Sequence, residues 1–218
     1  MPAITALISQ PRRPKVDLYL DGELAFTLAR KLARESGVFV GKNLSPQQVR
    51  ELQDQEELRA ALDSAYRYLS YGARSESQMR TRLRQKGVLP NTMDKAIVRL
   101  RELRLLDDTA FAQQWVERRA LSNPRGRRLV RWELRQKGIG QDVAEESVQV
   151  IDDEEGAYKA AARRAGRSKA QNYPEFRKKL GEFLVRRGFG YAVAERAVAR
   201  LWKERQEEVA ASGGSADV

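Results

Sequence analysis

The stretch Leu83-Arg84-Gln85-Lys86-Gly87-Val88 occurs in three versions along this chain. It returns as Leu134-Arg135-Gln136-Lys137-Gly138-Ile139 and, with substitutions, as Leu184-Val185-Arg186-Arg187-Gly188-Phe189. The three glycines are 51 and 50 residues apart. A fixed period of this size indicates a duplicated structural unit. Each glycine suits the left-handed backbone position that closes an α-helix, so the stretch predicts a helix end in every copy.

Each copy is predicted to lie in a unit of three helices. The first helices are expected over 58–71, 108–122 and 154–168, and the second over 76–86, 124–137 and 174–187. The third helices are expected over 91–105, 141–151 and 190–205, where apolar residues such as Ile97 and Leu100 recur at helical spacing. Each unit should bury a small three-helix core. The expected fold class is mainly α, an elongated array of three tandem three-helix repeats preceded by a small N-terminal β-hairpin and α segment.

The first 45 residues have a different pattern. Two runs, residues 16–20 and 23–27, flank Asp21-Gly22, and Asp-Gly between such runs is a strong hairpin signal. A small antiparallel sheet of two or three strands is expected, followed by a helix over residues 28–35 that ends at Gly37. Another helix should open at Ser45, because Ser45 can cap it and Gln48 can complete a capping box.

These patterns divide the chain into five expected segments. Residues 1–57 should form the β-hairpin with its helices, and residues 58–106, 107–152 and 153–205 the three repeats. Residues 206–218 should form a disordered tail, because alanine, serine and glycine dominate the chain after Glu208.

The chain is strongly basic, with 41 Lys and Arg against 30 Asp and Glu, a formal net charge of +11 and a pI near 10.1. The excess lies in residues 67–106, 118–139 and 159–187, which carry net charges of +7, +7 and +8. The rest of the chain is net acidic, with seven carboxylates in residues 142–155. Concentrated positive charge indicates a polyanionic partner or an acidic protein surface. A generally basic protein without such a partner is the alternative.

The second helix of each repeat carries a basic stripe beside its apolar residues. In repeat two, Arg127, Arg131 and Arg135 form an i, i+4 ladder. Like charges at this spacing oppose helix formation by roughly 0.2–0.5 kcal/mol per pair, so phosphates or acidic side chains of a partner are expected to compensate. Solvated helix faces are the alternative. The candidate partner- and DNA-binding residues are Arg80, Arg84, Arg127, Arg128, Arg131, Arg135, Arg177, Lys178, Lys179, Arg186 and Arg187.

Four aromatic residues, Tyr68, Tyr71, Trp115 and Trp132, lie in or beside the basic segments. They could stack on the bases of single-stranded nucleic acid. For most of the four, a position in the core or at its edge is the favoured interpretation.

The composition argues against catalysis. The chain has no cysteine and no histidine, which excludes disulfides, Cys/His zinc sites and Ser-His or Cys-His nucleophiles. Asp107-Asp108 and Asp152-Asp153 could hold Mg²⁺ in principle, but each pair lies where a helix begins, and N-capping explains both. We therefore expect a protein that is not an enzyme and uses no cofactor and no metal.

The sequence also bears on location and assembly. No apolar run approaches the roughly 20 residues needed to cross a bilayer, and the N-terminus lacks the pattern of a signal peptide. The expected location is the cytoplasm. Since no feature demands a dimer, a monomer is expected.

The stretch Tyr68-Leu69-Ser70-Tyr71-Gly72-Ala73-Arg74-Ser75-Glu76-Ser77-Gln78-Met79 resembles the first-repeat signature of the bacterial RecX regulatory proteins. Residues 83–87 and 106–112 extend the match. Asn123-Pro124-Arg125-Gly126-Arg127-Arg128, followed by residues 134–138, is similar to the second-repeat signature. The resemblance covers roughly residues 5–205 and is loosest in the third repeat, where Val185 and Arg187 replace the Arg and Lys of the earlier copies.

The resemblance implies a modulator of the RecA recombinase that binds RecA and its filaments on DNA and typically restrains strand exchange, ATP hydrolysis and co-protease activity. Roles in homologous recombination, DNA repair and the SOS response follow from it. Filament capping and groove binding both stay open, as do inhibition and occasional assistance. The alternative hypothesis is a stand-alone nucleic-acid-binding protein, transcriptional or architectural, which the charge of +11 supports.

Overall fold

The structure is a computed structural model that describes residues 1–167 and 170–213. It begins with a three-stranded antiparallel sheet of order β1-β2-β3, formed by β1 (Ile4–Ser9), β2 (Lys15–Leu20) and β3 (Glu23–Ala29). Asp21 and Gly22 join β2 to β3 with φ of +49° and +89°, the positive values that a type I′ turn requires. The expected hairpin is confirmed, and β1 adds the third strand. The short helix α1 (Arg30–Glu35) follows directly.

One long helix, α2 (Pro46–Leu69), comes next. Ser45 and Gln48 form the expected capping box, since each side chain accepts a hydrogen bond from the backbone N–H of the other. Sequence analysis expects two helices here, with a domain boundary between residues 57 and 58. The structure has no such break, because no glycine or proline follows Pro46 before the end of α2 and helix-favouring Gln, Glu, Leu and Ala dominate it.

The remaining helices form the three repeats. Repeat one consists of the part of α2 after residue 57 with α3 and α4, repeat two of α5 to α7, and repeat three of α8 to α10. The expected class, mainly α with tandem three-helix repeats after a small β segment, is therefore confirmed. The helices are α3 (Glu76–Gln85), α4 (Pro90–Glu102), α5 (Asp108–Ser122), α6 (Arg127–Gln136), α7 (Gln141–Val148), α8 (Asp153–Ala165), α9 (Tyr173–Arg186) and α10 (Tyr191–Gly213).

Each repeat buries a small apolar core of its own, and the sheet with the start of α2 buries a fourth. The leucine that opens the repeated stretch is fully buried in every copy, at Leu83, Leu134 and Leu184. Because every core is small, it buries only one side of each second helix. The rest of that helix surface is in contact with solvent.

The repeated stretch closes each second helix in the same way. Gly87, Gly138 and Gly188 have φ of +76°, +79° and +85°, as expected from the sequence. In repeat one, the N–H of Val88 donates to the carbonyl of Leu83 (3.1 Å) and that of Gly87 to Arg84 (2.9 Å). Repeats two and three have the equivalent bonds. This is the Schellman motif, in which the apolar residue after glycine packs back on the helix.

The end of the chain differs from expectation. Sequence analysis places a disordered tail over residues 206–218, but α10 continues to Gly213. The reason lies in its composition, because Lys203 and Glu207 form an i, i+4 ion pair of 3.8 Å and the neighbouring Gln, Glu and Ala residues favour helix. The rest of the expected tail, residues 214–218, lies outside the described residues.

The residues cluster into two compact units. The first comprises Met1–Arg74 and Gln78–Leu106, and the second comprises Ser75–Ser77 and the chain from Asp107 onward. Within the described ranges, no helix is both long enough and apolar enough to span a membrane.

Candidate functional site

The helix α6 presents a basic and aromatic face to solvent. Val130 and Leu134 lie on the buried side of α6. A residue that is rotated from Leu134 by about 100–160° around the helix axis therefore faces away from the core. Arg128, Trp132 and Arg135 fall in that range, at i, i+4 and i+7, and all three are exposed. The indole of Trp132 is 57% exposed. Core or core-edge positions are expected for most of the four aromatic residues, and Trp132 departs from that expectation. We call Arg128, Trp132 and Arg135 the α6 face.

The other two arginines of the expected ladder have partners inside repeats two and three. Nε of Arg127 donates to the carbonyl of Ile151 (2.8 Å), and a guanidinium nitrogen of Arg131 lies 2.6 Å from Oε2 of Glu145 on α7. In the described part of the chain, the side chain of Arg135 donates one long hydrogen bond, of 3.3 Å, to the carbonyl of Ile139. Arg127 and Arg131 of the ladder therefore bind neighbouring segments of the protein, whereas Arg135 faces solvent.

The same kind of cross-helix ion pair recurs in each repeat. Arg80 on α3 lies 2.6 Å from Asp94 on α4, as Arg131 does from Glu145. In repeat three the position of Arg131 is occupied by Gly181, and Glu195 pairs instead with Arg177, one turn earlier on α9. The exposed ion pairs contribute little to stability individually, but they reduce the positive charge that Arg80, Arg131 and Arg177 offer to a partner.

The remaining candidate residues vary in their surroundings. Arg84 and Lys178 are exposed, and within the described residues neither has a carboxylate in ion-pair contact. Lys179 pairs with Glu175 at 2.5 Å and Arg186 lies 3.8 Å from Glu182, both along α9. Arg187 is half-buried and is directed toward the end of α5. The candidate residues thus differ in their exposure and in their charge partners.

A buried carboxylate that sequence analysis does not single out organises repeat two. Oε2 of Glu133 accepts hydrogen bonds from Nε1 of Trp115 and Nε of Arg119, both 2.8 Å, and its other oxygen pairs with Arg125. Burial lowers the pKa of Arg119. The pKa of Arg125 is also lowered, mainly by burial and then by the positive charges of Arg119 and Arg187. These contacts hold Trp115 and Arg125 inside the repeat. Glu133 is the one acidic residue between residues 118 and 139, a signal that could have identified it.

The two Asp-Asp pairs cap helices. Oδ1 of Asp107 accepts from the N–H of Ala110 (2.9 Å), and Asp152 caps α8 in the same way. The second aspartate of each pair accepts a hydrogen bond from the first residue of an earlier helix. Asp153 accepts from the N–H of Arg127 (2.9 Å), and Asp108 accepts from the N–H of Glu76 (2.8 Å). Glu76 and Asp108 both belong to the second unit. The expected capping role of these carboxylates is confirmed.

Comparison with known protein families identifies the repeats. Residues 61–100 match the RecX first three-helix domain, residues 107–148 the second and residues 152–198 the third. The matched ranges correspond to repeats one, two and three.

Relatives and solved structures align along most of the chain. The regulatory protein RecX of Lactobacillus johnsonii is 30% identical over 214 residues, covering 95% of this chain and 78% of that protein. The regulatory protein RecX of Clostridium botulinum (strain Eklund 17B / Type B) is 28% identical over 204 residues, covering 91% and 95%. A crystal structure of regulatory protein RecX superposes with a TM-score of 0.67 at 26% identity, covering 89% of this chain and 98% of that one. The crystal structure of RecX from Lactobacillus salivarius shares the fold, with a TM-score of 0.61 at 23% identity and coverage of 67% and 97%. The chain therefore belongs to the RecX family of regulatory proteins.

Proposed function

We propose that this protein is a non-catalytic regulator of the RecA recombinase. It binds RecA and RecA filaments on DNA, and it restrains strand exchange, ATP hydrolysis and co-protease activity. The observation that carries the proposal is the α6 face, an exposed tryptophan between two arginines on the second three-helix domain of a RecX family member.

The α6 face has the chemistry that a nucleoprotein filament would engage. The guanidinium groups of Arg128 and Arg135 can form charge-assisted hydrogen bonds with carboxylates on a protein or with phosphates on DNA. The indole of Trp132 adds a flat apolar surface for an aliphatic side chain or a base. A filament offers both kinds of partner along one groove, so one face can contact RecA and DNA together.

The proposed mode of action requires binding alone. A regulator that bridges neighbouring protomers alters the filament through differential affinity for its states, and no covalent step is needed. Since RecA filaments form on chromosomal DNA, we place this action in the cytoplasm, and we propose that the protein acts as a monomer.

The test is a titration of single-stranded-DNA-dependent ATP hydrolysis by RecA with this protein at physiological salt. Inhibition well below one copy per RecA protomer is the expected result, because a filament regulator acts on more than the protomer it touches. Inhibition only at amounts that coat the DNA would instead indicate competition for DNA. No effect on hydrolysis would contradict the proposal.

A stand-alone nucleic-acid-binding protein is the second candidate, and exposure of Trp132 between two arginines favours it. Tight binding to free DNA without any effect on RecA would support this function. Sequence-specific binding would point to a transcriptional role, whereas indifference to sequence would point to an architectural one.

A further inference from the structure

Repeats two and three can be aligned from their own landmarks. The capping residues Asp107 and Asp152 are 45 residues apart, and the buried leucines Leu134 and Leu184 are 50 apart. These offsets align the first and second helices of the two repeats. Four residues that touch one another in repeat two, Trp115, Arg119, Glu133 and Lys137, then correspond to Ala160, Arg164, Phe183 and Arg187 in repeat three.

In repeat two the basic members of this set have an internal counter-charge. Glu133 accepts a hydrogen bond from Arg119 and one from Trp115. The ammonium of Lys137 lies 4.0 Å from the centroid of the Trp115 ring. The tryptophan fills the space between the helices, and the glutamate balances the charge.

Repeat three keeps the positive charges and loses both compensating groups. Ala160 leaves open the space that Trp115 fills, and Phe183 stands where Glu133 supplies a carboxylate. The result is a cleft of about 220 Å³ within the second unit, bounded by the end of α5, the end of α8 and the end of α9. We call it the arginine cleft, since Arg163, Arg164, Arg167 and Arg187 line it together with Asn123 and Phe183.

Arg187 and Arg163 in the arginine cleft have guanidinium groups that are held in place by neutral partners. Arg187 donates to Oδ1 of Asn123 and lies 4.6 Å from the centroid of the Phe183 ring. Arg163 donates to the carbonyl of Ser122 (3.0 Å) at the end of α5. Over residues 1–167 and 170–213, none of the four arginines lies in ion-pair contact with a carboxylate. Burial, and then the charges of Arg163 and Arg164, lower the pKa of Arg187.

We propose that the arginine cleft binds one phosphate group. Each guanidinium has five N–H donors in a planar fork that matches a phosphate, and the bonds within the protein use only part of them. The volume is below the roughly 300 Å³ at which pockets for drug-sized ligands begin, which favours a single phosphate over a whole nucleotide. A bound phosphate supplies in repeat three the negative charge that Glu133 supplies in repeat two.

The phosphate can come from either of two sources. Free inorganic phosphate is one, and a phosphodiester of a nucleic-acid backbone is the other. Both present the same oxygen acceptors to the cleft, and they differ in whether the rest of a polymer is attached.

The test is isothermal titration calorimetry of the full-length protein with inorganic phosphate, in a phosphate-free buffer at constant ionic strength. The variant carries Arg164→Gln and Arg167→Gln, two exposed residues at the end of α8 whose replacement spares the contacts of Arg163 and Arg187. The matched control carries Arg30→Gln and Arg34→Gln, which remove the same charge from exposed positions on α1. We expect saturable binding of one phosphate by the parent, at least tenfold weaker binding by the variant and less than twofold change in the control. Absence of saturable binding by the parent, or equal weakening in both double variants, overturns the proposal.

A second pair of variants tests the missing counter-charge directly. Phe183→Glu restores the carboxylate found in repeat two, and Val185→Glu places the same charge at an exposed position two residues away on α9. Phosphate binding should be lost in the first and retained in the second, with circular dichroism showing that both stay helical. Retention of phosphate binding in folded Phe183→Glu contradicts the proposal.

The source of the phosphate is resolved with a twelve-nucleotide oligothymidylate that has no terminal phosphate. If the backbone is the source, the double variant at Arg164 and Arg167 loses oligonucleotide affinity by several fold more than its charge-matched control. If free phosphate is the source, the two double variants lose oligonucleotide affinity equally while only the first loses phosphate. No recombinase is present, so these outcomes are independent of the proposed action on RecA.

Discussion

Glu56 and Glu133 are buried carboxylates in an otherwise basic protein. A buried carboxylate is costly unless hydrogen bonds and opposite charges surround it. Glu56 accepts from the N–H of Ala29 (2.9 Å) and pairs with Arg59 (2.7 Å), while Glu133 accepts from Trp115 and Arg119. Each carboxylate therefore fixes the relative position of two elements, α2 with β3 in one case and α5 with α6 in the other.

Replacement of Glu56 should make the first unit less stable in a pH-dependent way. Burial by itself raises the pKa of Glu56, but the hydrogen bonds from Arg59 and Ala29 and the charges of Arg59 and Lys15 outweigh it, so the pKa lies below the ordinary value. A lowered pKa contributes stability above the ordinary glutamate range, and this contribution is lost as the pH falls through the pKa of the folded state.

We therefore expect Glu56→Gln to cost about 1.5–3 kcal/mol at neutral pH, the range for hydrogen bonds to a charged group. The difference from the parent should shrink below about pH 4. Urea unfolding at a series of pH values measures this, with Glu51→Gln, an exposed position on the same helix, as the control. A difference that stays constant down to acid pH would contradict the assignment.

The α6 face should carry a larger share of partner binding than its charge alone explains. We expect Arg128→Gln with Arg135→Gln to reduce affinity for RecA filaments at least tenfold while leaving α6 folded, because neither side chain forms an ion pair with any residue that the structure describes. Fluorescence anisotropy with labelled filaments measures the affinity. Arg118→Gln with Lys159→Gln is the charge-matched control, from exposed positions on α5 and α8. An equal loss of filament affinity in both double variants would mean that net charge alone accounts for the contribution of the α6 face.

At the scale of elements, the glycine that ends each second helix has two roles. All three of these glycines adopt positive φ, but their surroundings differ. A Cβ on Gly87 would meet nothing within 4 Å, whereas a Cβ on Gly188 would overlap the side chain of Leu129 and lie 2.8 Å from its backbone nitrogen. The N–H of Gly126 also donates to the carbonyl of Arg187 (2.9 Å). Gly188 therefore lets the end of α9 pack against the start of α6.

Alanine at Gly188 should be more costly than alanine at Gly87. A positive φ costs an L-residue about 1–2 kcal/mol, and this applies at both sites. Forcing a methyl group into packed backbone adds about 1–3 kcal/mol, and this applies at Gly188 only. Urea unfolding of Gly87→Ala and Gly188→Ala compares the two, and hydrogen exchange should show faster opening at the start of α6 in the second variant alone. Equal losses would mean that α9 and α6 can separate at no cost.

At the scale of the whole molecule, charge is segregated along the chain. Three basic segments alternate with acidic ones, including residues 142–155, and in each repeat a carboxylate of the third helix pairs with an arginine of the second helix. The cross-helix pairs neutralise part of each basic stripe. The positive charge that a partner meets on each second helix is therefore smaller than the number of basic residues in its stripe suggests.

Binding to DNA should be steeply salt-dependent and independent of sequence. Arginines that contact phosphates release counterions, and the slope of log K against log salt is roughly −0.7 for each phosphate neutralised on a single strand. We expect a slope of roughly −2 to −4, because only the solvent-facing arginines contribute. Titration of oligonucleotides of two unrelated sequences at several salt concentrations measures it. A flat salt dependence, or a strong preference for one sequence, would contradict this expectation.

Features whose partners lie close along the chain follow from the amino-acid sequence alone. The Schellman motifs at Gly87, Gly138 and Gly188 involve residues at most five positions apart, and the capping box of Ser45 involves residues three apart. Their geometry follows from local backbone chemistry, so the three repeats and their helix ends were predictable.

Which basic residues face solvent depends on contacts between residues that are distant along the chain. Arg131 is neutralised by Glu145, fourteen residues away, while Arg128 and Arg135 face solvent on the same helix. The arginine cleft joins α5 to α8 and α9 across some forty to sixty residues, and the charge excess of residues 159–187 was its only trace in the sequence. Net charge can be counted from composition, but the exposure of Trp132 and the loss of a counter-ion at Phe183 depend on which helices pack together.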